Sequence, residues 1–98
     1  MKKIERYIAC YDKNSSQLVK KITIPDIPLI KLSNAIGRVE IDIKEDPLLY
    51  YDYPINETNI KQLESALSIT IPIATFYCYV ECTSMSLQKT PVDGDVSQ

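Results

Sequence analysis

Two runs of alternating character, separated by five polar residues, restrict this chain more than any other feature. From Ile4 to Asp12, the residues Ile4, Arg6, Ile8 and Cys10 point one way and Glu5, Tyr7, Ala9 and Tyr11 the other. From Leu18 to Ile24, Leu18, Ile22 and Ile24 share a face. A side-chain period of two marks a strand, and Lys13-Asn14-Ser15-Ser16-Gln17 between the runs offers no hydrophobe to bury. The pair predicts a β-hairpin. Pro25 and Pro28 then end the second strand, because proline cannot donate to a sheet ladder.

Downstream, Asp26 is the expected cap of a short helix, with Pro28 in its first turn and Leu29, Leu32 and Ile36 at helical spacing. Gly37 stops it by accepting a left-handed conformation. Val39, Ile41 and Ile43 alternate with Arg38, Glu40, Asp42 and Lys44, which predicts a third, half-exposed strand over 38–44. Glu45-Asp46-Pro47 breaks it, and 48–54 has no period and reads as a structured loop. Asn56 is the expected cap of a second helix, with Ile55 and Ile60 as a hydrophobic staple and Ile60, Leu63 and Leu67 as its apolar stripe. From Ile73 to Thr83 a last strand places Phe76, Cys78, Val80 and Cys82 opposite Thr75, Tyr77, Tyr79 and Glu81.

The order is β-β-α-β-α-β. It predicts an α+β fold: a mostly antiparallel four-stranded sheet with two helices packed on one face. Residues 1–87 form one expected domain, and the polar stretch 88–98 is expected to be a flexible tail. A hydrophobic share of 45% is too high for general disorder. The longest apolar runs fall far short of the ~20 residues that a membrane helix needs. The charged start has no apolar segment behind it, so a cytoplasmic protein without membrane contact is expected.

The composition argues against chemistry. There is no histidine, so the commonest general base and metal ligand is missing. With two glycines, Gly37 and Gly94, no glycine-rich phosphate loop is possible. The three cysteines, Cys10, Cys78 and Cys82, are an odd number. Cys78 and Cys82 lie roughly 13 Å apart along one strand, too far to bridge. Free thiols, no zinc site, no cofactor and no enzymatic activity are expected.

Charge and tyrosine carry more information. Residues 1–31 hold seven basic and three acidic side chains (+4), and the remainder holds four basic and ten acidic (−6). Either the halves partly cancel on folding, or an acidic region faces a basic partner. The acids concentrate around a tyrosine cluster, so Glu40, Asp42, Glu45, Asp46, Tyr50, Tyr51, Asp52 and Tyr53 are the candidate partner-binding residues. A second set, Tyr7, Tyr11, Tyr77 and Tyr79, falls on the sheet face away from the helices. There it could stack on single-stranded nucleic acid or simply cover the open side of the sheet. The acidic balance and the missing basic, glycine-bearing signature of RNA-recognition folds argue against nucleic acid. An adaptor subunit of another cytosolic complex remains open.

Arg6-Tyr7-Ile8-Ala9-Cys10-Tyr11-Asp12-Lys13, Leu18-Val19-Lys20-Lys21, Asp46-Pro47-Leu48-Leu49-Tyr50 and Tyr53-Pro54-Ile55 give the chain a family resemblance. It resembles the small bacterial immunity proteins that accompany polymorphic toxins, including those of contact-dependent growth inhibition systems. The resemblance spans residues 4–80. It implies a protein that binds and neutralises one cognate toxin domain, a nuclease, over its basic cleft. The odd cysteine count and the absence of histidine add the expectation of a reduced, metal-free monomer or weak dimer alone.

Overall fold

The computed structural model describes residues 4–84. The expected tail at 88–98 lies outside them, as do the ends of the expected domain 1–87. The chain folds as four antiparallel strands with three helices, β1 (Ile4–Asp12), β2 (Leu18–Thr23), α1 (Leu29–Ile36), α2 (Glu40–Glu45), β3 (Tyr53–Ile55), α3 (Ile60–Leu67) and β4 (Phe76–Ser84). The strand order is β2-β1-β4-β3. β1 and β2 form the expected hairpin, with Ala9 opposite Lys21 and a bulge between Cys10 and Tyr11. β1 also pairs with β4 along its whole length, from Ile4 opposite Ser84 to Asp12 opposite Phe76.

One face of the sheet builds the core. Ile8, Cys10, Cys78 and Val80 meet Leu32 and Ile36 of α1 and Leu63 and Leu67 of α3. Burying each such side chain fully contributes roughly 1.5–3 kcal/mol. Ala9 points to the other face, yet it is as fully buried as Ile8. Its cross-strand neighbours there are Lys21 of β2 and Tyr79 of β4.

Four local expectations change. Residues 38–44 are not a strand: Glu40–Glu45 is helical, with Ile43 N–H donating to Val39 O (3.1 Å) and Asp46 N–H to Asp42 O (2.8 Å). Glu40 and Asp42 sit in its first turn and Lys44 in its last, the charge order that a helix dipole favours. The place beside β4 is taken by β3, Tyr53–Ile55, from the stretch expected to be a loop. Asp26 does not cap α1; Pro28 occupies that position without any side-chain bond. α3 starts at Ile60 behind Asn59, while Asn56 opens the preceding turn by accepting the Asn59 and Ile60 N–H groups. Gly37 does end α1, at φ 86°, with its N–H on Ser33 O and Asn34 O.

All three cysteines are free thiols. Cys10 and Cys78, however, face each other across β1 and β4 with their sulfurs 3.8 Å apart. Burial, then the contact with Cys10, pushes the Cys78 thiol up to about 12. Only Cys82 is partly exposed. In folded protein an alkylating reagent should therefore modify Cys82 first, and Cys10 and Cys78 only on unfolding, because the fold buries both from the reagent. Mass mapping of a labelling time course checks this; equal rates at all three sites would contradict it.

Candidate functional site

Asp46 organises the segment from α2 to β3. Its carboxylate accepts the N–H groups of Tyr50 (2.8 Å) and Tyr51 (2.9 Å) and the Tyr53 hydroxyl (2.7 Å). Arg38 lies 3.5 Å from the same carboxylate, and the two side chains are 1% and 4% exposed. Arg38 also donates to Asp46 O (2.6 Å), the Tyr53 hydroxyl (2.9 Å) and Ser33 Oγ (2.8 Å). Burial alone would raise the Asp46 carboxyl. The two backbone N–H groups, the tyrosine hydroxyl and Arg38 outweigh it and hold the group below its ordinary 3.8. Leu49 adopts φ 60° and drops into the core at 1% exposure. Arg6, on β1, donates to Leu48 O (2.6 Å).

This knot leaves a particular surface outside it. α2 buries none of its residues. Of the ten large hydrophobics exposed among the described residues, six fall within 39–51: Val39, Ile41, Ile43, Leu48, Tyr50 and Tyr51. Glu40, Glu45 and Asp52 are exposed among them. Asp42 is half-buried and accepts the Val39 N–H (3.2 Å). Of the eight candidate residues, Asp46 and Tyr53 thus face inward as structural groups, whereas Glu40, Glu45, Tyr50, Tyr51 and Asp52 remain presented outward. The exposed isoleucines went unnoticed in the sequence because alternation placed them on a buried strand face. Among the described residues the only ion pair is Arg38–Asp46, and both partners come from the second, acidic part of the sequence.

The sheet face opposite the helices carries Tyr7, Tyr11, Tyr77 and Tyr79, as expected from their register. Glu81, also on this face, is its hub. Tyr7 and Tyr11 donate to its two oxygens at 3.2 and 2.6 Å, and the Tyr11 and Tyr79 rings meet edge to face at 5.8 Å. Lys21 lies 4.6 Å over the Tyr7 ring and Lys13 5.5 Å over Tyr77. Burial, then the charge of Glu81, pushes the Asp52 carboxyl above its ordinary value. A phosphate chain approaching these rings would meet both charges.

A family profile matches residues 5–81, and its description is a domain of unknown function (DUF7683). No curated protein and no solved structure matches the chain. Among the described residues no helix is long and apolar enough to cross a membrane.

Proposed function

The chain belongs to the DUF7683 family, and we propose that it is an immunity protein: a cytoplasmic inhibitor that binds a cognate toxin domain, a nuclease, over its basic cleft. It works by contact alone, without a cofactor and without chemistry of its own. The observation that carries this reading is the surface of 39–52, where α2 and the following loop hold apolar and acidic side chains out together. A six-residue helix that buries nothing contributes little to the fold. Grouped exposed apolar side chains mark an interaction site. The carboxylates around them suit lysine- and arginine-rich surfaces such as a nuclease uses to hold phosphate.

The reading expects the gene immediately upstream to encode a toxin domain, and the test is binding kinetics against that domain at two salt concentrations. Reversal of Glu40 and Glu45 to lysine should slow association and flatten its salt dependence, because steering acts on the encounter. Tyr51→Ala and Ile41→Ala should instead speed dissociation, by about 2 kcal/mol for a residue at the centre of the contact. Circular dichroism confirms folding. Unchanged kinetics in all these folded variants would remove 39–52 from the interface.

A further inference from the structure

The tyrosine face and the acidic segment are joined, and Asp52 is the join. The loop tied by Asp46 delivers Asp52 over the open sheet face, where it shares a concavity of about 300 Å³ with Tyr11, Tyr77, Tyr79, Glu81 and Ser16. Aromatic rings form its walls, and two carboxylates supply negative charge with no ion-pair partner among the described residues. Lys21 and Lys13 show that rings on this face already hold cations, over Tyr7 and Tyr77. The Tyr79 ring carries none among the described residues, and Tyr77 stays half exposed.

We propose that this concavity is a guanidinium site, in which an arginine of a protein partner stacks on Tyr79, beside Tyr77, and pairs with Asp52 and Glu81. Guanidinium is favoured over ammonium because it is flat, is weakly hydrated and presents a fork of donors to carboxylates while its face lies on a ring. Glu81 is already oriented for this by its two tyrosine donors. The proposal deepens the binding reading: one footprint would run from α2 across the loop to the sheet, with the arginine as its anchor at the sheet end.

The experiment needs only the chain itself. Isotope-labelled protein is titrated with N-acetyl-arginine amide to about 50 mM, which spans the weak affinity expected of one cation–π contact with an ion pair. Saturable shifts are expected at Tyr77, Tyr79, Glu81 and Asp52 and not along α2. The neutral isostere, N-acetyl-citrulline amide, should give none. Asp52→Asn should weaken binding several-fold, whereas Asp26→Asn, at an exposed carboxylate in the connection between β2 and α1, should leave it unchanged. Absence of shifts, equal shifts with citrulline, or unchanged binding in a folded Asp52→Asn protein would overturn the site. Any of these would leave the toxin-binding kinetics of the α2 variants as a separate question.

Discussion

Asp46→Ala should cost roughly 3–5 kcal/mol of stability, the range for breaking a buried ion pair by removing one partner. The substitution strands the Arg38 guanidinium, 1% exposed, without a counter-charge. It also leaves the Tyr50 and Tyr51 N–H groups and the Tyr53 hydroxyl without their acceptor. For a domain of this size each kcal/mol lowers the melting temperature by roughly 4–8 °C, so the loss is easily read by thermal denaturation. Asp46→Asn keeps the shape but not the charge and should fall between. The same group predicts a pH effect. Its carboxyl lies below the ordinary 3.8 in the fold, so its contribution is fully present above that value. It is lost as pH falls through the lower folded value. Asp46→Asn should therefore lose less stability than wild type on acidification below about 4. A melting temperature within a degree or two of wild type in Asp46→Ala would show that the knot is dispensable.

Asn59→Ala should come close in magnitude. Asn59 is 7% exposed, and its amide joins three parts of the chain. Its oxygen accepts the Asn56 N–H (2.9 Å), and its nitrogen donates to Ile36 O at the end of α1 and to Pro54 O in β3 (both 3.1 Å). A buried group left without its partner costs about 1–3 kcal/mol, and this one substitution orphans three. Asp is the informative second variant. It keeps the acceptor for Asn56 but has no donor for the two carbonyls, so it should recover little. Denaturant titration reads both; full recovery by Asp would place the contribution in the turn alone.

What the sequence disclosed follows from burial. β1, β4 and α3 each bury one face, so Ile8, Cys10, Val80, Leu63 and Leu67 wrote their periods into the chain. α2 buries nothing, and its short run of alternating residues carried no trace of the helix. β3 is three residues long with Pro54 at its centre, a poor strand signal that only its pairing with β4 explains. The acidic, tyrosine-bearing segment was legible as a candidate surface. That Asp46 is consumed internally was not, because the reason is Arg38, placed beside it by the α1–α2 connection. The tyrosine face was legible from alternation. Its meeting with Asp52 was not, since it depends on the pairing of β3 with β4, which sets Tyr53 opposite Val80.

The full-length pairing of β1 with β4 bears on how the chain is made. The central ladder of the sheet joins the beginning of the described chain to its end, so a ribosome must finish nearly all of it before that ladder can close. Until then the β1–β2 hairpin has an open edge, and its core-facing isoleucines wait for α1, α3 and Val80. Contacts so distant in sequence slow folding, because loop closure must be achieved before the contacts reward it. Nascent chains of this protein should thus acquire protease resistance late and in one step, rather than gradually from the N-terminus.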